Sequence, residues 1–184
     1  MREVAIVAFA QTPSVASSDL DEAEMVQVVT QDALNQLGIT QRDIGFTCSG
    51  SCDMLIGRPF SFVSALDGLA AWPPIQESHV EMDGAWALYE SFVRLQHGDI
   101  DTALVYAFGR SSAGDVADVL TLQLDPYYLG PLWPDAHSVA ALQARALLDS
   151  GKATESDFAE VAARNLLSAQ SNKNAQVSGS FAPT

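Results

Sequence analysis

Short extended segments alternate with stretches of helical periodicity through the first part of the chain, and this alternation constrains the fold more than any other feature. Four segments are expected to be strands: Val4–Phe9, Gly45–Cys48, Gln76–Glu81 and Thr102–Phe108. The first is continuously apolar and is closed by proline, which is typical of a strand covered on both faces. Because strands and helices alternate, the pattern predicts an α/β fold with a parallel sheet and right-handed crossovers.

Helical patterns follow the predicted strands. The clearest has apolar residues from Met25 to Leu37, acidic residues in its first turn and Gly38 as its stop. A second helix is predicted over Phe60–Ala71. A third begins at Gly84 and is apolar on nearly every face, so we expect it to be buried.

The pattern changes after Gly114, where helices and a proline-rich stretch replace the alternation. The expected segments are a short helix at Val116–Leu124, an irregular stretch at Asp125–Pro134, a helix at Ser138–Leu148 and a helix opened by Thr154. The sequence therefore predicts an α/β part over residues 1–114 and a helical part over residues 115–184.

The negative net charge of the chain limits the kinds of molecule that it can bind. Nine Lys and Arg residues stand against 23 Asp and Glu residues, which gives a formal net charge of -14 and no basic run. Nucleic acid and anionic membrane surfaces are therefore poor partners. The N-terminus predicts a strand rather than a signal peptide, and no apolar run approaches the roughly 20 residues that cross a bilayer. We expect a soluble, cytoplasmic protein.

Three segments carry a resemblance to a known family: VAIVAFAQTP, then GAWALYESFVRLQHGDIDTALVYAFGRSS, then SVAALQARALLDSGKATESDFAEVAARNLLSAQSNKNAQ. In this order they resemble the first strand, the buried central helix with the next strand, and the loop-domain helices of sterol-carrier-protein and lipid-transfer-protein type thiolases. The resemblance runs through almost the whole chain. It implies the N-terminal half of a layered αβαβα fold, with a mainly parallel sheet and a helical loop domain, that forms a homodimer.

Thiolase-type proteins contain two similar halves, and this sequence stops before the fifth strand of the first half. A sheet without its last strand and without its stacked partner would expose strand edges and a wide apolar face. We therefore expect the natural protein to be longer, or a second chain to complete the fold.

The resemblance also implies where a thiolase nucleophile would lie. In true thiolases a cysteine stands where the third strand meets the buried helix, because the helix dipole and backbone donors lower the pKa of a thiol there. Glu81 occupies this position to within a residue, so a cysteinyl acyl intermediate is excluded. Glu81 or Asp83 is a candidate general base, and the alternative is that they cap the helix, for which Asp83 is well placed.

Other candidates for substrate contact surround this position. Gly84 opens the buried helix, and Arg110 follows the fourth predicted strand, where it could contact an anionic group or form a structural salt bridge. Tyr127, Tyr128 and Trp133 lie in the region that covers the acyl pocket in the family. Ordinary packing of a rigid proline loop is the alternative for these aromatic residues.

The cysteines and histidines give no metal pattern. Cys48 and Cys52 are expected to be reduced structural cysteines in a loop, because their spacing fits no familiar zinc site. His79, His97 and His137 have no spacing that suggests a metal or a catalytic triad, so we interpret all three as structural. No metal site is predicted.

Together these features predict a thiolase-like acyl-CoA protein of lipid or steroid metabolism that lacks thiolase chemistry. The resemblance implies retro-aldol cleavage of a β-hydroxyacyl-CoA with a small OB-fold partner protein, and a coenzyme A thioester as the ligand with no bound cofactor. The alternatives are a non-catalytic acyl-CoA carrier or scaffold subunit, and an acyltransferase whose nucleophile comes from elsewhere.

Overall fold

The structure is a computed structural model that describes residues 2–69, 76–110 and 115–180. The chain divides into two compact units, one formed by residues 1–12 and 17–114 and the other by residues 13–16 and 115–184. The first unit contains α1 Glu22–Leu37, β1 Phe46–Ser51, α2 Asp53–Ile56, α3 Phe62–Leu69, β2 Gln76–Glu81, α4 Gly84–His97 and β3 Ala103–Ala107. The second contains α5 Val116–Leu122, α6 Ala136–Asp149 and α7 Glu155–Ala169.

The sheet of the first unit is parallel, with the strand order β2-β1-β3 among the described residues. The prediction of an α/β fold with a parallel sheet is therefore confirmed. In register, Ser49 of β1 lies opposite His79 of β2 on one side and Tyr106 of β3 on the other. These three side chains share one face of the sheet because strand residues alternate between faces.

The strand predicted at Val4–Phe9 is wrong. This segment carries no ladder hydrogen bonds in the structure, and Ile6, Val7 and Phe9 are 75%, 70% and 72% exposed. Among the described residues the outer edges of β2 and β3 have no partner strand, so the segment remains unpaired although edges are present. Apolar composition therefore shows the capacity to form a strand but does not by itself specify pairing with a sheet edge.

Helices cover both faces of the sheet. On one face, Val26 of α1 and Ala65 and Leu69 of α3 pack with Tyr106 in a buried cluster. On the other face, α4 packs over a second cluster formed by Phe46, Cys48, Ala87 and Ile100. Cys48 lies inside β1 and is fully buried, so its predicted place in a loop is also wrong.

Helix α4 follows its predicted range but is not buried on all faces. Its buried residues are Ala87 and Ser91, whereas Trp86 and Tyr89 are 51% and 60% exposed. The sheet covers only one side of the helix within the described part of the chain. The expectation of an all-round buried helix is therefore corrected.

The remaining helices form where their start and stop signals predict them. Helix α1 has a capping box between Asp21 and Glu24, and it ends at Gly38 in the left-handed conformation. Helix α3 begins at Phe62 rather than Phe60, and its predicted end at Ala71 lies outside the described residues.

In the second unit, α5 and α6 match the predicted helices, and α7 has the predicted capping box between Thr154 and Asp157. A single short 3-10 turn, Gly130–Leu132, interrupts the irregular stretch, as the proline density of this segment leads us to expect. Within the described ranges, none of the helices has the length and apolar character needed to span a membrane.

Candidate functional site

The carboxyl ends of the three parallel strands meet at one edge of the sheet, where open α/β folds bind ligands. At this edge the chain turns from β2 into α4 through Glu81, Met82 and Asp83, and we call this turn the β2–α4 corner. Two glycine residues allow this corner to pack closely against β1 and β3. A Cβ atom on Gly50 would lie 2.2 Å from the Asp83 carbonyl oxygen, and one on Gly84 would lie 2.8 Å from the Ala107 Cβ.

Asp83 caps helix α4. Its Oδ1 accepts hydrogen bonds from the backbone N–H groups of Ala85 at 2.9 Å and Trp86 at 3.2 Å. These bonds satisfy donors that the first helical turn leaves without partners. Of the two roles that the sequence leaves open for Asp83, the geometry provides the structural one.

Glu81 ends β2 with a half-exposed side chain that has two partners. Its Oε1 accepts a hydrogen bond from the backbone N–H of Asp53 at 2.6 Å, and its Oε2 lies 3.4 Å from Nε2 of His79. Glu81 therefore does not cap α4 as Asp83 does. Its carboxylate is directed toward β1 and its following turn, beside an imidazole.

His79 links Glu81 to a buried serine. Its Nδ1 lies 2.8 Å from Oγ of Ser49, while its Nε2 faces Glu81. The ring of Phe62 stacks on the imidazole with the centroids 4.3 Å apart and an interplanar angle of 15°. We call Ser49, His79 and Glu81 together the Ser49–His79–Glu81 array.

Sequence reasoning missed this array because it treated all three histidines as structural. One signal was present, since His79 and Glu81 stand two residues apart in a predicted strand and so project from the same face. The position of Ser49 depends on the register between β1 and β2, which no local pattern specifies.

A cavity of about 200 Å³ opens beside the array on the face of the sheet that α3 covers. It is lined by Thr47, Ser49, Phe62, Leu66, Glu77, Ser78, His79 and Tyr106. Burial raises the pKa of Tyr106 to about 12, and a hydrogen bond with Ser49 partly offsets the effect. Tyr106 therefore offers a neutral hydroxyl group next to Ser49 at physiological pH.

Asp53 holds the loop that follows the array. Its Oδ1 accepts hydrogen bonds from the Ser61 hydroxyl at 2.7 Å and the Ser61 backbone N–H at 2.9 Å, and its Oδ2 accepts one from the N–H of Phe60. The Ser61 hydroxyl is the main reason why the pKa of Asp53 is lowered. An ionised Asp53 thus fixes the turn into α3, including Phe60, which adopts a positive φ of 54°.

Among the other predicted contact residues, Arg110 belongs to the first unit and the three aromatic residues belong to the second. Nη2 of Arg110 donates a hydrogen bond to the Ser18 carbonyl oxygen at 3.2 Å. In the second unit, Tyr127 and Tyr128 are each 81% exposed, and Trp133 is 57% exposed with a positive φ of 46°. That unit has its own apolar cavity of about 230 Å³, lined by Leu120, Leu124, Pro134, Ala136, Val139, Ala140 and Gln143.

The buried thiol of Cys48 is poorly placed for chemistry. Burial raises the pKa of Cys48, and the nearby negative charge of Glu90 raises it further. Cys52 is partly exposed in the turn after β1. In the described part of the chain, no group of three or more His, Cys, Asp or Glu side chains could hold a metal ion.

Comparisons with protein-family models and with curated proteins find no match to this chain. The resemblance to thiolases therefore remains a prediction from the residues of the sequence.

Proposed function

We propose that this chain is a thiolase-like acyl-CoA protein, corresponding to the N-terminal half of the αβαβα fold, that acts without a cysteinyl intermediate. The observation that carries the proposal is the β2–α4 corner. A strand ends there at the carboxyl edge of a parallel sheet, a helix begins there with its dipole facing that edge, and the residue at the end of the strand is Glu81. This arrangement supports the proposal, because a thiolase-type site would have a thiol where Glu81 stands.

The state of the two cysteines supports this reading. Cys48 is buried in β1 with a raised pKa, so the thiolate needed for nucleophilic attack is disfavoured. Cys52 lies in the turn after β1 and not at the corner between β2 and α4. Thiolysis through either residue would require a different site from the one that the family uses.

Retro-aldol cleavage is the reaction that we propose for this corner. Glu81 takes the proton of the β-hydroxyl group, the bond between the α- and β-carbons breaks, and its electron pair passes to the thioester as an enolate. Protonation of the enolate at the α-carbon then yields a shortened acyl-CoA and a free carbonyl compound. We further propose that the protein is cytoplasmic and works as a homodimer with an OB-fold partner, and that Gly84, Arg110, Tyr127, Tyr128 and Trp133 contact the acyl-CoA.

A carrier or scaffold subunit is the second candidate, and the exposed surface of α4 favours it. Trp86, Leu88, Tyr89 and Phe92 are 39% to 60% exposed on this one helix. Concentrated exposed apolar groups mark surfaces that bind other molecules. In this case Glu81 and Asp83 have only the structural roles that their hydrogen bonds provide.

Product analysis separates the two candidates. The full chain is incubated with a β-hydroxyacyl-CoA and with acetoacetyl-CoA, each with and without an OB-fold partner, and the products are measured by mass spectrometry. Cleavage of the hydroxyacyl ester that is lost in Glu81→Gln, a variant of the same size, supports the lyase. Binding of the ester without turnover supports the carrier, and thiolysis of acetoacetyl-CoA contradicts the proposal.

A further inference from the structure

We propose that the Ser49–His79–Glu81 array is a nucleophilic serine site that hydrolyses esters of small acyl groups. This activity does not depend on the proposed function, because it uses Ser49 as a nucleophile, which the retro-aldol step does not need, and a cavity on the α3 face of the sheet, whereas α4 covers the opposite face. The two sites share only Glu81.

The two ring nitrogens of His79 face the two groups that a general base requires, a hydroxyl on one side and a carboxylate on the other. When Nε2 carries the proton and donates a hydrogen bond to Glu81, the lone pair of Nδ1 faces the hydroxyl group of Ser49 at 2.8 Å. The carboxylate favours this tautomer and stabilises the imidazolium that forms when Ser49 loses its proton. The ring is reversed relative to the common serine triad, but the roles of the three groups are unchanged.

The array is held on both sides by rigid elements. Ser49 and His79 are directly opposed in the ladder between β1 and β2, so their separation is set by the sheet. Phe62 fixes the plane of the imidazole by stacking, and the N–H of Asp53 fixes the carboxylate of Glu81 at 2.6 Å. Such restraint keeps a nucleophile and its base within reacting distance.

The cavity sets the size of the substrate. Ser49 itself is only 2% exposed, so an ester must reach it through the cavity of about 200 Å³ that Ser49, His79 and Tyr106 line. This space suits an acyl group of a few carbon atoms. Tyr106 lies opposite Ser49 in register on β3 and its side chain interacts with that of Ser49, so its neutral hydroxyl would donate to the oxyanion that forms on the acyl carbonyl.

The reaction has two balanced steps. Oγ of Ser49 bonds to the acyl carbon while its proton moves to Nδ1 of His79, and the ester bond then breaks as the leaving alcohol takes that proton. In the second step a water molecule gives a proton to His79 and attacks the acyl-serine. The tetrahedral intermediate that forms then collapses, the proton on His79 returns to Ser49, and the carboxylic acid is released.

The test uses the full chain and p-nitrophenyl acetate, with release of p-nitrophenol measured by absorbance. We expect Ser49→Ala to reduce the rate to that of the buffer, and His79→Gln to reduce it by at least about 100-fold. Ser51→Ala is the matched control, since Ser51 is equally buried on the same face of β1 and bonds Ser61, and it should retain the rate. Glu81→Gln, which tests a positioning residue, should lower kcat and leave KM unchanged.

A second measurement does not depend on the folding of any variant. The wild-type chain is treated with a fluorophosphonate probe, and the modified residue is located by peptide mass spectrometry. Modification of Ser49 supports the proposal, while modification elsewhere, or none, overturns it. Equal hydrolysis by Ser49→Ala and the wild type also overturns it, whereas loss of β-hydroxyacyl-CoA cleavage with ester hydrolysis intact affects only the proposed function.

Discussion

Replacing Gly50 with alanine places a methyl group against the β2–α4 corner. The added Cβ would lie 2.2 Å from the carbonyl oxygen and 2.4 Å from the carbonyl carbon of Asp83. Ordinary contact requires about 3.5 Å, so the corner and β1 would have to separate by about 1.3 Å. Both partners are backbone, and neither can move away by changing a rotamer.

Overpacking of this kind costs about 1–3 kcal/mol, and a contact between backbone groups at the central strand places Gly50→Ala near the upper end. We expect the free energy of unfolding to fall by about 3 kcal/mol. For a chain of this size, that corresponds to a decrease in Tm of roughly 6–12 °C. Urea and thermal unfolding followed by far-UV circular dichroism measure both quantities.

Gly45→Ala is the matched control. Gly45 immediately precedes β1, but a Cβ atom there would lie 3.4 Å from the Thr102 side chain, which is ordinary contact. We expect a change within about 0.5 kcal/mol for this variant. Equal stability of Gly50→Ala and Gly45→Ala would refute the close packing of β1 against the corner.

Three further predictions concern single side chains. Asp83→Ala should lower the free energy of unfolding, measured in urea, by about 1 kcal/mol because two capping hydrogen bonds are lost. Asp83→Asn should preserve most of the stability. Equal losses in both variants would contradict the capping role. Cys48 should react with a thiol reagent only after unfolding, and reaction as fast as that of Cys52 in the native protein would show that Cys48 is accessible. The pKa of Tyr106 is raised to about 12, so the folded state holds this proton more tightly than the unfolded state does. The stabilisation that results should be fully present below about pH 10, and the free energy of unfolding should fall by roughly 2–3 kcal/mol as the pH rises to 12 and above. Tyr106→Phe should remove this pH dependence in urea unfolding, and an unchanged slope would assign it to other groups.

Much of the fold follows from local signals. The capping box that begins α7 and the left-handed Gly38 that ends α1 are visible as short motifs because their interactions span only a few residues. Of the three strands that pair, β3 is apolar and β1 places the apolar Phe46 and Cys48 two residues apart, whereas Val80 is the one apolar residue of β2. Such features depend on neighbours in the sequence, which a single sequence contains.

The errors came from features that depend on distant partners. Val4–Phe9 has the composition of a strand, but it pairs with neither β2 nor β3, whose outer edges have no partner strand among the described residues. Helix α4 has the composition of a buried helix, but one sheet covers only one of its sides. In both cases the sequence shows what a segment could bury, while the structure determines what is there to cover it.

The candidate site was predictable only in part. The capping role of Asp83 follows from its place before Gly84. The approach of His79 to Ser49 follows from a register between strands that are 30 residues apart, and no local motif encodes it. Glu81 was found through the resemblance to thiolases, whereas its bond to the N–H of Asp53 came only from the structure.

The central claim, that this chain acts on acyl-CoA esters without a thiol, is tested most directly with a cysteine-free protein. The variant Cys48→Ala/Cys52→Ala and the wild type are compared for cleavage of a β-hydroxyacyl-CoA, with products measured by mass spectrometry and folding checked by circular dichroism. We predict the same shortened acyl-CoA at the same rate from both proteins. A folded cysteine-free variant that has lost the cleavage shown by the wild type would contradict the account.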